Sequence, residues 1–209
     1  MTRGAKRPMR FRRLLPFAAV AAIVAAAVTT WLFGTLSDPR DWFVDEHAYD
    51  AEIGVAAKRH GLDPELVRAV IYQESRFRKN RRGSRGEIGL MQVLPSGAAA
   101  EWARVKKRPR PTDRELFGVE LNLEIGCWYL ARALRRWREY DRKVELALAQ
   151  YNAGEKRARE WAPKAKNGEV LPRVKIASTK KYIKEITERY RSYAAAAKSK
   201  HKDPTVGKK

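Results

Sequence analysis

The chain has 209 residues, of which 45 are Lys or Arg and 24 are Asp or Glu, and its formal net charge is +21. Hydrophobic residues make up 44% of the chain, which predicts a packed core, and the length fits one domain with short extensions. One cysteine excludes an internal disulfide framework, three histidines argue against a histidine-based zinc site, and the HExxH, CxxC and GxxxxGK(S/T) motifs are absent. We therefore predict no metal site and no other cofactor.

The N-terminal region has the pattern of a membrane anchor. Residues 1–13 carry six Lys or Arg and no acid, and residues 14–36 form an apolar run of 23 residues without a charge. A helix of that length crosses the roughly 30 Å apolar core of a bilayer. Residues 37–50 carry five acids and one arginine, so the positive-inside rule predicts a cytoplasmic N-terminus and a domain in the periplasm. A signal peptide cleaved near residues 25–27 is the alternative, but the apolar run continues past these alanines, which favours a single-pass anchor in the inner membrane.

The rest of the chain has helical periodicity. After a linker at residues 37–44, the sequence predicts a helix over residues 46–60 that Gly61 ends. Asp63 followed by Pro64 is a typical helix start, so a second helix should run to about residue 76. Loops are predicted at residues 79–89 and 106–112, and further helices after residue 95 and over residues 120–140, 143–151 and 179–193. These elements predict one all-α domain over residues 45–195, followed by a basic, disordered tail at residues 196–209.

One carboxylate lies on the apolar side of a predicted helix. At about 100° per residue, Glu74 falls close to the centre of the apolar stripe that residues 66–71 form. A glutamate in that position points into the core or a cleft, where loss of solvation raises its pKa toward the range that a general acid needs. The alternative is a structural glutamate that pairs with Arg76 or Arg78.

Two later segments suit a ligand cleft. Residues 86–95 (GEIGLMQVLP) place glycines, which allow close backbone approach, beside an apolar run with one amide, Gln92. Residues 149–154 (AQYNAG) end a predicted helix with a phenol and an amide between small residues. Taken singly, a methionine such as Met91 is more often a core residue, and a tyrosine such as Tyr151 is more often a half-buried core aromatic.

Together with residues 73–77 (QESRF), these segments resemble the lytic transglycosylase family with the goose-type lysozyme-like fold. Their order and spacing match the E-S-x-F, G-x-x-G-L-M-Q-x-x-P and A-x-Y-N-A-G blocks of that family. The resemblance extends to residues 122–130 and 179–183. It implies a helical, lysozyme-like catalytic domain that cuts peptidoglycan between N-acetylmuramic acid and N-acetylglucosamine and leaves a 1,6-anhydromuramoyl end.

The resemblance also implies roles for individual residues. Glu74 matches the single catalytic acid, which protonates the leaving oxygen and then accepts the proton of the muramoyl 6-hydroxyl. Substrate assistance by the N-acetyl group replaces a second carboxylate. Tyr151 is expected to orient Glu74, and Ser75 to be mainly a structural hydroxyl. The full set of candidate substrate-binding residues is Tyr151, Asn152, Gln92, Met91, Ser84 and Ser75.

The sequence departs from the family pattern at three places. Gly83 stands where the family commonly has a serine near the reacting sugar, so either Ser84 substitutes for it or a contact is lost. Ser178 stands where an acid often precedes the Thr-x-x-Tyr block, which questions the contacts to the peptide stem. Residues 79–85 (KNRRGSR) are strongly basic and could bind muropeptide carboxylates, bind membrane phosphates or be a solvated loop.

Other function classes stay open at this point. A muramidase of the same fold would deliver water and needs a second carboxylate, for which Glu87 is the nearest candidate. A non-catalytic wall-binding scaffold and a protease with Cys127 as nucleophile have weaker support, because no motif is broken and Cys127 lies among apolar residues. The net charge suggests a nucleic-acid binder, but aromatic residues do not alternate with the basic runs. We therefore predict peptidoglycan, the inner membrane and proteins of the cell-wall machinery as partners, and no nucleic acid.

Overall fold

A computed structural model describes residues 44–202, and the regular secondary structure of this region is helical. The helices are α1 (Asp50–His60), α2 (Pro64–Ser75), α3 (Ala100–Lys106), α4 (Asp113–Leu116), α5 (Val119–Arg136), α6 (Lys143–Ala153), α7 (Glu155–Trp161) and α8 (Ala177–Lys202). A π-helical turn, Pro95–Ala99, leads into α3, and a 3-10 turn, Leu171–Arg173, precedes α8. Within residues 44–202 the only extended pairing is two isolated bridges, between residues 82 and 88 and between residues 88 and 93. The all-α class predicted for this region is confirmed.

Local sequence signals begin and end several of these helices. The Asp63 carboxylate accepts a hydrogen bond from the Glu65 backbone N–H at 2.9 Å, and Pro64 occupies the first turn of α2. Gly61 ends α1 in the left-handed conformation with φ of 66°. Thr112 and Glu115 form a reciprocal capping box that starts α4. These caps fix the boundaries of the short elements that surround the site.

The core forms where α5 and α6 pack against each other and against the flanking helices α1, α2 and α8. Its fully buried side chains come from every one of these helices and include Ile53, Ile71, Leu123, Leu130, Leu146, Leu148 and Ile183. Cys127 is among them, and burial raises the pKa of its thiol to about 12. A thiol that stays protonated is not a nucleophile, which removes the protease alternative.

Several helix boundaries differ from the sequence prediction. Helix α1 begins at Asp50 instead of residue 46, because the Glu46 carbonyl accepts a hydrogen bond from the Arg68 guanidinium at 2.6 Å and residues 46–49 form turns. Helix α5 ends at Arg136 instead of residue 140, because the Trp137 indole turns inward to donate to Gln150 at 2.9 Å.

The short helices α4 and α7 were not predicted, since four and seven residues are too few to establish a period. Helix α8 continues to Lys202, whereas disorder was predicted from residue 196. The alanine run at residues 194–197 has high helix propensity and extends the helix.

The predicted N-terminal elements lie outside the described residues. This holds for the basic segment 1–13, the anchor 14–36 and nearly all of the linker 37–44, as well as residues 203–209 of the tail. Within residues 44–202, no helix combines the length and the apolar character that crossing a membrane requires. The anchor therefore stays a prediction from the sequence.

Candidate active site

The side chain of Glu74 projects from the last turn of α2 into a cavity. The chain leaves this helix through Arg76 and Phe77, which have φ of 54° and 58° and turn the backbone sharply away. The Tyr182 hydroxyl of α8 donates a hydrogen bond of 2.6 Å to Glu74 Oε1. Arg78 donates instead to the Ser75 carbonyl at 3.1 Å. The Tyr182 hydroxyl therefore holds the Glu74 carboxyl where it lines the cavity.

The environment of Glu74 favours its protonated form. Burial raises its pKa from the ordinary 4.5 to about 7, and the carboxylate of Glu87 acts in the same direction. The Tyr182 hydrogen bond and the positive charges of Arg81 and Arg85 lower the pKa and limit that rise. A carboxyl group with a pKa near neutrality can both donate and accept a proton at physiological pH.

A buried amide fixes the loop that forms one wall of the cavity. Asn122 on α5 donates from Nδ2 to the carbonyls of Ile88 and Leu116, both at 2.8 Å, and accepts from the Met91 N–H at 2.9 Å. Gly89 has φ of 80°, and a Cβ at this position would collide with the Asn122 amide. The loop therefore needs a glycine at position 89, because a side chain there would displace the Asn122 amide that holds the loop in place.

Met91 and Gln92 follow in that loop and point in different directions. The Met91 side chain is fully buried against Gly126 and Cys127, so it packs in the core and does not line the cavity, unlike the sequence expectation. Gln92 lines the cavity, with φ of 46° and its Nε2 donating to the carbonyls of Arg81 at 3.2 Å and Gly89 at 2.8 Å. These two bonds leave the amide oxygen of Gln92 available to accept from a ligand.

The end of α6 supplies Tyr151 and Asn152. The Tyr151 hydroxyl donates to the Met91 carbonyl at 2.9 Å, so Tyr182, and not Tyr151 as expected, is the hydrogen-bond partner of Glu74. Asn152 Oδ1 accepts a hydrogen bond of 2.7 Å from the Thr179 hydroxyl. This contact fixes the amide of Asn152 with its Nδ2 free to donate to a ligand.

The serine candidates differ in position. Ser75 is fully buried and its hydroxyl donates to the Ile71 carbonyl at 3.2 Å, so it stabilises the end of α2 and does not face a ligand. Ser84 lines the polar part of the cavity. At Gly83 a Cβ would collide with the Glu87 carboxylate and would lie 2.8 Å from Gln92 Oε1. The missing side chain at Gly83 therefore makes room for a second carboxylate.

The cavity consists of two adjoining parts. The larger part has a volume of about 280 Å³, and its apolar lining residues include Val93, Leu94, Ala98 and Tyr129. The smaller part has a volume of about 240 Å³ and is mainly polar. Both parts share Glu74, Arg85, Glu87, Gln92 and Asn152. Apolar patches between convergent amide and carboxyl groups suit a ligand with sugar rings and amide substituents.

Sequence reasoning missed three residues of the site. Tyr182 and Thr179 lie three residues apart on one face of α8, within the Thr-x-x-Tyr block, and that spacing was the available signal. Arg157 lines the larger part of the cavity from the unpredicted helix α7, and no motif indicated it. No cluster of His, Cys, Asp or Glu in residues 44–202 could hold a metal ion.

Comparisons with known proteins give a consistent result. The family model described as "Transglycosylase SLT domain" matches residues 52–171. A membrane-bound lytic murein transglycosylase E from Buchnera aphidicola is 34% identical over 80 residues, which are 38% of this chain and 36% of the relative. A membrane-bound lytic murein transglycosylase F from Desulfosudis oleivorans is 37% identical over 115 residues, which are 54% of this chain and 23% of the relative.

Two solved structures have the same fold as the described domain. An inactive glutamate-to-glutamine mutant of the lytic transglycosylase Slt from Pseudomonas aeruginosa superposes with a TM-score of 0.64 at 25% identity, covering 73% of this chain and 25% of that one. The 70 kDa soluble lytic transglycosylase from Escherichia coli gives a TM-score of 0.63 at 24% identity, covering 70% of this chain and 24% of that one. The chain thus spans about a third or less of the length of these relatives.

Proposed function

The chain belongs to the transglycosylase SLT domain family, with an all-helical lysozyme-like domain, and from that premise we propose that it is a peptidoglycan lytic transglycosylase. The reaction would cleave the bond between N-acetylmuramic acid and N-acetylglucosamine and leave a 1,6-anhydromuramoyl end. The observation that carries the proposal is the half-buried carboxyl of Glu74, held by Tyr182 and lining a cavity with the amides of Gln92 and Asn152.

The first step of the proposed reaction needs a proton donor. Because its pKa is about 7, Glu74 keeps its proton in a large share of molecules at neutral pH. It would give that proton to the oxygen that leaves with N-acetylglucosamine, as the bond from that oxygen to the anomeric carbon breaks. Tyr182 donates to Oε1 and supports the carboxylate that this step creates.

Positive charge that develops at the anomeric carbon would be met by the substrate itself. The carbonyl oxygen of the 2-acetamido group attacks that carbon in a substrate-assisted step. Asn152 has its oxygen occupied by Thr179, so its free Nδ2–H is the donor available to hold a substrate carbonyl in place. Orientation of this kind raises the rate by holding the reacting atoms close to the geometry of attack.

The second step would return the proton to Glu74. The muramoyl 6-hydroxyl attacks the anomeric carbon, the bond from the acetamido oxygen breaks, and the Glu74 carboxylate accepts the hydroxyl proton. Atoms and charges then balance without water. The same residue serves as acid and base, which a pKa near neutrality allows and which the ordinary glutamate pKa would not.

A hydrolytic outcome is the second candidate, because the cavity contains another carboxylate. Glu87 lines both parts of the cavity, and the hydrogen bonds from Arg85 and from the backbone help to hold its pKa below the usual range, so it is ionised. A muramidase could use such a group to direct a water. Each of its oxygens, however, accepts a hydrogen bond from Arg85, and this pairing makes the carboxylate a weaker base toward a water, which favours the lytic reaction.

We further propose that residues 14–36 anchor the chain in the inner membrane with the domain in the periplasm, where peptidoglycan and wall-machinery proteins are accessible. The charge asymmetry around the apolar run supports this arrangement. The names of the relatives as membrane-bound enzymes agree with it. A phosphatase reporter fused after residue 209 should be active only if the C-terminus is outside the cytoplasm, and an inactive but folded fusion would contradict the arrangement.

The activity is tested by digesting purified peptidoglycan with the full chain and with the Glu74→Gln variant. Mass spectrometry should find soluble fragments with anhydromuramoyl ends from the wild type and none from the variant. Ser75→Ala is the matched control, because its hydroxyl is buried away from the cavity. Fragments with reducing ends would favour the muramidase, and no release by folded wild type would favour a non-catalytic scaffold.

A further inference from the structure

The C-terminal part of α8 carries positive charges only. Glu188 is the last acid of this helix, and it is followed by Arg189, Arg191, Lys198, Lys200 and Lys202. Residues 195–199 are exposed, and among the residues that the structure describes no carboxylate pairs with Lys198. A lysine in the last turn of a helix is explained by the helix dipole alone, but Lys198 precedes that turn. Its charge is therefore available to an anionic partner.

The same part of α8 contacts the N-terminal end of the domain. The Glu46 carboxylate accepts a hydrogen bond from the Tyr193 hydroxyl at 2.5 Å and lies 3.6 Å from the Arg189 guanidinium. The Glu46 carbonyl accepts from the Arg68 guanidinium at 2.6 Å, which ties the same segment to α2. From Tyr193 the helix continues for nine residues, to Lys202, a length of about 14 Å.

Only a short piece of chain separates this point from the proposed membrane anchor. Residues 37–43, seven in all, lie between the end of the apolar run at Leu36 and Val44. A segment of that length spans at most about 25 Å when it is fully extended. Because Glu46 and Tyr193 are in contact, this linker length lets the end of α8 contact the surface of the membrane that holds the anchor.

An anionic lipid surface is the partner whose charge and position fit this segment. Each lysine or arginine near such a surface favours contact by about fivefold, so three lysines favour it by about a hundredfold. Lysine can also lay its alkyl stem along apolar groups while its ammonium stays with the phosphates. Residues 104–108 form another exposed basic run, but their helix α3 packs on α5 and on the π-helical turn, away from the contacts of Glu46.

We propose that the end of α8, through Lys198, Lys200 and Lys202, binds the anionic lipid headgroups of the membrane in which the chain is anchored. This inference goes beyond the proposed activity and rests on the proposed anchor at residues 14–36. The contact would give the domain a second attachment to the membrane, independent of peptidoglycan. Its strength should depend on the charge of the lipid and on the salt concentration, because it is electrostatic.

The test uses the full chain in vesicles of phosphatidylcholine alone and in vesicles of an equal mixture of phosphatidylcholine and phosphatidylglycerol. Ser199→Cys provides the site for a fluorescent donor, since Ser199 is exposed and the native Cys127 is fully buried. Energy transfer to a headgroup dye measures how close residue 199 lies to the lipid. Lys181→Cys is the reference label, because its side chain is 75% exposed and it lies about 27 Å away along the same helix.

Two sets of substitutions separate the charge of the helix end from the charge of the helix as a whole. The charge variant combines Lys198→Gln, Lys200→Gln and Lys202→Gln, and a second variant places Arg at the same three positions. The matched control removes the same charge from exposed positions at the other end of α8 by combining Lys180→Gln, Lys181→Gln and Lys184→Gln.

Transfer from residue 199 should be higher in the mixed vesicles than in the neutral ones, and high salt should remove the difference. The charge variant should lower the ratio of bound to free helix ends by about a hundredfold, so its transfer should fall to the level in neutral vesicles. The arginine variant and the matched control should behave like the wild type. Equal transfer in both lipids, an equal loss in the matched control, or an equal rise at residue 181 would overturn the proposal.

Flotation of the full chain with neutral vesicles tests the anchor separately. A chain that floats only with the mixed vesicles, and only when it has the three lysines, would overturn the anchor and support the lipid contact. Binding to purified peptidoglycan through the same lysines, with energy transfer that does not respond to lipid charge, would assign them to a wall polymer and overturn the proposal.

Discussion

The hydrogen bond between Tyr182 and Glu74 has a consequence for the pH dependence of the reaction. Replacing Tyr182 with Phe removes the hydroxyl that donates to Glu74 Oε1 at 2.6 Å but keeps the buried ring. That hydrogen bond lowers the pKa of Glu74, opposing the rise that burial causes. The Tyr182→Phe variant should therefore hold its proton to a higher pH than the wild type does.

The size of the shift follows from the strength of such a bond. A hydrogen bond to a charged group contributes about 1.5–3 kcal/mol, and one pKa unit corresponds to about 1.4 kcal/mol. The alkaline limb of the rate profile, on which Glu74 loses its proton, should move from about pH 7 upward by about one to two units. The rate near neutrality should fall, because a weaker acid protonates the leaving oxygen less readily.

The assay is the initial rate of muropeptide release as a function of pH, at low substrate concentration, for wild type and Tyr182→Phe. Tyr151→Phe is the matched control, since the Tyr151 hydroxyl donates to the Met91 carbonyl instead of Glu74. Its alkaline limb should stay close to that of the wild type. An alkaline limb that stays in place or moves to lower pH in Tyr182→Phe would refute the role given to this hydrogen bond.

Three further predictions concern the stability and the shape of the site. The pKa of Glu74 is raised in the folded state, so protonation of Glu74 stabilises the fold fully below about pH 4.5, and this stabilisation is lost as the pH rises through 7. The melting temperature of Glu74→Gln relative to that of the wild type should therefore be higher at pH 8 than at pH 4.5. Equal differences in melting temperature at both pH values would contradict this. Asn122→Ala breaks three buried hydrogen bonds and should lower the free energy of unfolding, measured by denaturant titration, by about 2–4 kcal/mol. A loss under about 0.5 kcal/mol would show that the loop containing Gly89 and Met91 does not depend on the Asn122 amide. Gly83→Ala should displace the Glu87 carboxylate and raise KM for peptidoglycan at least about threefold. Gly54→Ala is the control and should leave KM unchanged, because a Cβ at position 54 meets nothing within 4 Å. A wild-type KM in Gly83→Ala would show that Glu87 can move without an effect on substrate binding.

The sequence was most informative where the helical spacing of apolar residues, or the residues next to a helix end, determine the local structure. The apolar stripe of α2 gave the direction of the Glu74 side chain, and the structure agrees with both that direction and the sense of its pKa shift. Asp63 and Gly61 marked the boundaries between α1 and α2 because capping depends on neighbouring residues alone. The catalytic role of Glu74 stays a prediction, which the peptidoglycan digestion with Glu74→Gln tests.

The contacts that the sequence did not predict correctly depend on long-range packing. Tyr151 and Tyr182 lie on different helices, and which hydroxyl reaches Glu74 depends on how α6 and α8 cross, which no local pattern encodes. Met91 lies in a loop and is buried because it packs against Gly126 on α5. Arg157 reaches the cavity from a helix of seven residues that is too short to be predicted. Such contacts require the assembled fold.

The central claim, that the 6-hydroxyl and not water ends the reaction, is tested most directly by digestion in water enriched in heavy oxygen. The full chain is incubated with purified peptidoglycan, and the new muramoyl ends are weighed by mass spectrometry. We predict ends that are one water lighter than reducing ends and carry no heavy oxygen, and that are absent with Glu74→Gln. Heavy oxygen at the anomeric carbon of the new ends would contradict the account and assign the reaction to water.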